Sequence, residues 1–449
     1  MLHATRLWTL WLALLTPFAR AFTPRGFPRF VEWTTGLVLN TEEHTITQSL
    51  YALNRTQDWK AVETFAEIGH WNVELVELTI AQQLERAPGR LWYGYRVSAL
   101  DDSKVHRSSK DVWGTCTFHD YSARCPNRAS TVRAHNWVVL GALLHHPGQP
   151  AWLLPQTGRL YFRKSQLPTY PDAEPFQTKC QLAVALFGQQ ASQVSGKHLG
   201  VFDGAFAVRS VVRPLVLPPE GEPRIDFLTR LRRDARLYAL PPAPGSIKRR
   251  GPKPKWGPRL LPPKQAGHWR VPWQEGQVFL YGRQRQVRWK EQVCLWRVLG
   301  HEVPVNVAVA EVEGYKKRFH LVGSVLEWTG LQMLEVFGGR FRQEDGFRDL
   351  KQRLGWEECR AWTKKPVLRT SWLEMLTLSL LRLMQFQLDA LGEPWWQAPP
   401  WNRTKTRPSV LDVQRWFGRY RPEIQQLAAE WLASVGIAES ANDVGVPGP

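Results

Sequence analysis

The 449-residue chain is poor in sulfur, with five cysteines and four methionines. Cys116, Cys125, Cys180, Cys294 and Cys359 form no CxxC pair, and an odd number cannot close a disulfide framework. This excludes a small disulfide-stapled domain and a thiolate zinc site, and it predicts free, mostly buried thiols in a reducing cytoplasm. Long apolar runs are also missing. Leu7 to Leu15 is interrupted after about nine residues by Thr16-Pro17, too short to span a bilayer. We read it as a buried helix, with a secretory signal as the alternative because His3, Arg6 and Ala19-Arg20-Ala21 fit that pattern. Acid is scarce: 40 Asp and Glu face 59 Lys and Arg, a net charge of +19. Such an excess favours a polyanionic partner and says nothing about fold. A chain that is 43% hydrophobic and 22% charged is neither disordered nor fibrous. Its length allows roughly two to four domains. The one abundance is tryptophan, with 23 residues.

From about Pro28 to Arg86 the apolar spacing is helical (Thr45 to Leu53, Trp59 to Glu67, Trp71 to Leu84), although residues 72–78 alone alternate like a strand. Ala87-Pro88-Gly89 ends that block. Leu91 to Leu100 then reads as a strand running into Asp101-Asp102, and Asn136 to Leu144 as another. Cys180 to Gln190 is helical, and His198 to Phe202 is a short strand ending at Asp203. Strands alternating with a helix and stopping at aspartates predict an α/β sheet with its site at strand ends.

Residues 214–300 are rich in proline. Between 248 and 290 twelve Lys and Arg face one acid, Glu275. Short alternating segments at Gln277 to Tyr281, Gln286 to Trp289 and Val293 to Leu299 predict an all-β insertion carrying a basic loop. Beyond Leu326 the pattern is helical: Leu331 to Phe337, Arg342 to Leu354, Ser371 to Leu391 and Val410 to Val435.

Asp101 or Asp102, Asp203 and the helical Glu344 form an all-oxygen ligand set that suits two magnesium or manganese ions, as phosphodiester chemistry uses. Singly, a strand-end aspartate is more often a turn former or a helix cap. Arg340, Glu344, Arg348 and Lys351 share one helix face, either a solvated ion-paired surface or a metal-binding glutamate flanked by DNA-gripping cations.

The segment Phe337-Gly-Gly-Arg340-Phe-Arg-Gln-Glu344-Asp-Gly-Phe-Arg-Asp-Leu-Lys351 resembles the Y-x2-R-x3-E-x6-K signature of DDE insertion-sequence transposases, with phenylalanine for the tyrosine. Ala99 to Ser103 and Val201 to Phe206 resemble the strands that carry the first and second aspartates. Residues 28–84 and 227–238 resemble the helical N-terminal region and the lead into the Pro/Lys-rich loop. Asp102, directly before a hydroxyl residue, is the slightly preferred first acid, with Asp101 the competitor.

The resemblance implies an α/β fold: a ribonuclease H-like core interrupted by a β-rich insertion, with helical N- and C-terminal regions. The corresponding boundaries are a helical region 1–88, core 89–213 and 326–392, insertion 214–325 and a helical tail 393–449. It implies metal-dependent cleavage at element ends and transfer of the 3′-hydroxyl into target DNA. Asp102 (or Asp101), Asp203 and Glu344 would hold two Mg2+ or Mn2+ ions. Arg340, Arg348, Lys351, Lys248, Arg249, Arg250, Lys253 and Lys255 would contact DNA. A tryptophan among Trp256, Trp269, Trp273, Trp289 and Trp296 would stack on a flipped base, with Trp289 and Trp296 singled out. Double-stranded DNA is the expected partner, a homodimer the expected assembly on DNA, and the cytoplasmic nucleoid of a prokaryote the expected place, with no membrane role. The alternatives are a catalytically decayed basic DNA-binding protein on the same fold and a secreted basic protein.

Overall fold

The computed structural model describes residues 2–120, 130–242 and 254–436. Five helices open the chain: α1 (Leu2–Leu15), α2 (Gly26–Leu39), α3 (Ile46–Ala52), α4 (Trp59–Ile68) and α5 (Val73–Glu85). Thr45 and Asn72 cap α3 and α5 by accepting from the backbone N–H three residues on. The Asn72 cap explains why the alternating residues 72–78 become helix. Sheet follows: β1 (Leu91–Trp92), β2 (Tyr95–His106), β3 (Cys116–His119), β4 (Thr131–Leu144) and β5 (Trp152–Tyr161). Next come α6 (Lys179–Gln193), started by the Thr178/Gln181 capping box, β6 (His198–Phe202), α7 (Arg209–Val216), β7 (Ile225–Arg230) and β8 (Leu237–Tyr238). Strands β9 (Gln274–Leu280), β10 (Arg283–Trp296), β11 (Val305–Val312) and β12 (Phe319–Gly323) precede α8 (Gly330–Gly339), α9 (Arg342–Arg353), α10 (Lys364–Ala390), α11 (Val410–Arg419) and α12 (Arg421–Ser434).

The strands form one sheet. Its middle runs β5-β4-β2-β6-β7: β4 is antiparallel to β2 and β5, while β6 is parallel to both β2 and β7. β12 joins β7 antiparallel, and β11, β10 and β9 follow, each antiparallel to its neighbour. The strands expected as a β-rich insertion extend the central sheet edge to edge. Residues 225–230, assigned by sequence to the insertion, pair in parallel with β6.

Side-chain alternation divides the interior. On one face Val97, Ala99, Val201 and Leu228 pack under Met333, Leu334 and Phe337 of α8. On the other, Leu100, Phe202 and Phe227 pack under Leu182 and Leu186 of α6 and Val211 and Val212 of α7. A third core joins the N-terminal helices to α10, α11 and α12. Trp11, Phe30, Trp33, Leu380 and Phe417 are each fully buried in it, and the Trp11 indole N–H donates to Thr35 Oγ1 at 3.0 Å. Trp8 meets Trp431 edge-on at 6.4 Å, so the helical tail packs on α1. The apolar N-terminal run is thus an inward helix face, and among the described residues no helix is long and apolar enough to cross a membrane.

Several sequence expectations are corrected in detail. The aspartate pair does not end its strand, because β2 continues to His106, held by β4 along its length. Two of the short alternating segments, Gln286 to Trp289 and the first part of Val293 to Leu299, lie in one 14-residue strand, β10. Val410 to Val435 is two helices, broken at Tyr420 before Arg421-Pro422. The signature segment is also two helices. Arg340 and Phe341 join α8 to α9 through i→i−3 hydrogen bonds, Arg340 N to Phe337 O at 3.1 Å and Phe341 N to Gly338 O at 3.3 Å.

Candidate active site

Asp101 and Asp203 are brought together by parallel pairing. Leu100 stands opposite Phe202, so the next residues, Asp101 and Asp203, are neighbours across β2 and the end of β6. Asp101 follows Val97 and Ala99 on the face covered by α8, and Asp203 follows Val201 on that same face. Asp203 Oδ1 accepts from Gly204 N at 2.6 Å, and the Thr229 hydroxyl ties down the Phe202 and Asp203 carbonyls.

Helix α9 lies close over the sheet because Gly346 lets it approach. A Cβ there would stand 2.8 Å from Leu153 Cδ2. The buried Gln343 side chain anchors the helix by donating to Val139 O at 2.9 Å. The next residue, Glu344, has a half-exposed carboxylate.

Arg340 links these carboxylates. Its Nη1 is 2.9 Å from Asp101 Oδ2 and its Nη2 is 3.8 Å from Glu344 Oε1. The Phe337 ring lies 5.7 Å beneath the guanidinium. Burial pushes the Asp101 carboxyl up to about 6; Arg340 opposes this, and the Asp102 and Asp203 charges reinforce it. Asp101, Asp203, Glu344 and Arg340 thus form one electrostatic unit. Among the described residues no three His, Cys, Asp or Glu side chains stand close enough to hold a metal ion. The donor chemistry nevertheless suits a hard divalent cation: carboxylate oxygens, with the partly buried Asp101 beside Asp203 and the Arg340 guanidinium between Asp101 and Glu344.

Asp102, the preferred first acid by sequence, points to the opposite face. It pairs with Lys179 Nζ at 2.7 Å at the start of α6. The single-residue step along β2 decides this.

The expected DNA-contacting cations are distributed unevenly. Arg340 is at the acids. Arg348 pairs with Asp345 at 2.9 Å, and Lys351 pairs with Glu357 at 2.9 Å while donating to Lys104 O at 2.6 Å. Lys255 is exposed; Lys248, Arg249, Arg250 and Lys253 lie outside the described residues. The two singled-out tryptophans are core residues. Trp289 is 5% exposed and donates to Glu291, and Trp296 is 3% exposed beside Phe227. Both rings are covered by packing and offer no face to a base. Trp269 is buried as well, whereas Trp273 and Trp256 are partly exposed beneath Arg288 and Arg297, at 4.9 and 5.4 Å.

Two side chains at the site escaped the sequence reading. Arg230 ends β7 at the register position beside Asp203, and Tyr281 reaches in from the β9–β10 turn. A strand at 225–230 was the missing signal for the first, and the second had none.

No curated protein matches the chain. Residues 17–297 match the family described as DDE superfamily endonuclease, a stretch that carries both Asp101 and Asp203 and stops short of Glu344. Endonucleases of this superfamily generally use divalent metal ions. With well over half of its length inside that match, the chain belongs to the DDE superfamily endonucleases.

Proposed function

We propose that the protein is a DDE transposase, which cleaves DNA at the ends of a mobile element and joins the freed 3′-hydroxyl to target DNA. The observation that carries this reading is the Arg340 guanidinium, which contacts Asp101 and faces Glu344, with Asp203 beside Asp101 across the β2–β6 pairing. The strand order β5-β4-β2-β6-β7, with β6 and β7 parallel to β2, supports a ribonuclease H-like core. The continuation of that sheet through β9–β12 supports an inserted segment between the second aspartate and Glu344.

Asp101, Asp203 and Glu344 would hold magnesium or manganese. Bound there, such ions activate the attacking oxygen and stabilise the leaving one. The protein's own part is positioning. The β2–β6 pairing sets the two aspartates side by side, and Gln343 and Gly346 seat α9, whose Glu344 would join them as the third ligand. Arg340 holds the Asp101 carboxylate in place and faces Glu344. Two element ends must be paired, so a homodimer on DNA is the proposed working form, in the cytoplasm at the nucleoid.

The test is strand transfer with purified protein and an oligonucleotide bearing the element's terminal sequence, in Mg2+ or Mn2+. Asp203→Ala and Glu344→Ala are expected to abolish nicking and joining while DNA binding persists. Either variant retaining both steps would refute the assignment. Wild-type protein that binds DNA but never cuts it would instead be a DNA-binding protein on this fold.

A further inference from the structure

A cleft of about 700 Å3 adjoins Glu344 at the N-terminal end of α9. Arg230, Tyr281, Lys316, Lys317, Arg340 and Glu344 are among the residues lining it. Arg230, Lys316 and Lys317 are exposed, and none has a carboxylate partner among the described residues. The cations picked out by the signature differ in this respect, since Lys351, Arg348 and Arg340 are all engaged by acids. The unpaired positive charge beside the acids comes from the end of β7 and the β11–β12 turn.

Tyr281 gives an independent indication. It occupies the first position of the two-residue β9–β10 turn with φ +51°, followed by Gly282 at +82°. Such a turn favours Asn or Gly first, and an aromatic residue with positive φ is strained. The ring is fixed by Phe341, edge-on at 5.2 Å, and by Tyr315 at 5.8 Å. Burial raises the phenol pKa. Tyr315 and Glu344 add to the rise while Arg340 and Arg230, which line the same cleft, oppose it. It has no hydrogen-bond partner among the described residues. A neutral donor in a cleft lined by Arg230, Arg340, Lys316 and Lys317 matches the oxygens of a phosphodiester.

We propose that Arg230, Tyr281, Lys316 and Lys317 form a phosphodiester-binding groove that leads a DNA strand to the acids at the N-terminal end of α9. The groove rests on the nuclease reading above for its ligand. Arg230, Lys316 and Lys317 contribute salt-dependent contacts, and Tyr281 contributes a neutral hydrogen bond.

The experiment is fluorescence anisotropy of a labelled DNA duplex with the full chain, in EDTA so that no cutting is required, across about 50 to 200 mM salt. Lys316→Gln/Lys317→Gln is expected to flatten the slope of log K against log salt by about 1.8, and Arg230→Gln by about 0.9. Tyr281→Phe is expected to weaken binding about threefold to tenfold at an unchanged slope. All three variants keep the fold, because the cations are exposed and the ring is retained; circular dichroism verifies this. Unchanged slopes in both cation variants overturn the groove even if the wild type cuts DNA. A wild type that binds no duplex overturns the groove and the nuclease reading together.

Discussion

Arg340 Nη1 lies 2.9 Å from Asp101 Oδ2 although 239 residues separate them in the chain. The contact ties the α8–α9 junction to β2, the central strand of the site. It depends on the tight i→i−3 turn at Arg340, which points the guanidinium at the sheet while Phe337 supports it from below. Arg340 is also the only cation in direct contact with Asp101 among the described residues, so it neutralises a partly buried carboxylate that has an acid neighbour.

Removing that cation leaves Asp101 partly buried and unpaired. Arg340→Ala is expected to lower stability by about 1–3 kcal/mol at pH 7, read by urea unfolding, and to raise the Asp101 pKa further. Arg340→Lys recovers part of this, because an ammonium is a point charge that cannot bridge two carboxylates as a guanidinium does. Equal midpoints for the wild type and the alanine variant would refute a structural role for the pair.

The two adjacent aspartates are separable by experiment. Under the proposed function, Asp101→Asn abolishes metal-dependent plasmid nicking. Asp102→Asn retains it within about tenfold, since that carboxylate faces Lys179 on the other side of the sheet. The reverse pattern would transfer the first catalytic place to Asp102.

His135 carries a pH signature. It is fully buried: Arg107 Nε donates to its Nδ1 at 3.2 Å, so its Nε2 bears the proton given to Trp113 O at 2.7 Å. Burial, with help from Arg107, presses its pKa down to about 3. The neutral ring is therefore favoured in the folded state, and its contribution is complete above the unfolded pKa near 6.5. It fades as pH falls toward 3, amounting to a loss of about 2 kcal/mol at pH 5. His135→Gln should flatten the decline in urea midpoint between pH 7 and 5 by about that amount. An identical decline in both proteins would rule out the neutral buried histidine.

Glu374 works in the opposite sense. It is fully buried in α10, both carboxylate oxygens lack a hydrogen-bond partner among the described residues, and burial raises its pKa well above the usual range against the pull of Arg107. The folded state holds that proton more tightly than the unfolded chain, so the residue lowers stability progressively as pH climbs above about 4.5. Glu374→Gln is expected to match wild type at acid pH and to exceed it near pH 7 in thermal unfolding. A variant less stable than wild type at pH 7 would mean that the carboxylate is ionised and useful.

Much of the architecture was legible because local patterns and tertiary packing agree. The Cys180 to Gln190 helix, the His198 to Phe202 strand and the Leu7 to Leu15 inward face all follow from apolar spacing that the folded core simply accepts. β5, β7, β11 and β12 were not foreseen. Each is a stretch buried on one or both faces whose apolar run carries no period of its own, and its pairing partner lies far away in sequence.

By itself, the sequence determined the acid positions, the helical ends and the basic, cysteine-poor character of the protein, since these reside in residue types and short-range spacing. Only the tertiary structure decided which of Asp101 and Asp102 faces Asp203. The two differ by one residue in a strand of period two, and the facing side is set by parallel pairing with β6. It likewise decided which cations are free. Lys351 and Arg348 look available along a helix but meet Glu357 and Asp345, whereas Arg230, Lys316 and Lys317 become neighbours of Glu344 only once β7, β11 and β12 are joined to the sheet. Charge pairing depends on distances in space, and those distances are fixed by strand register and helix packing across hundreds of residues.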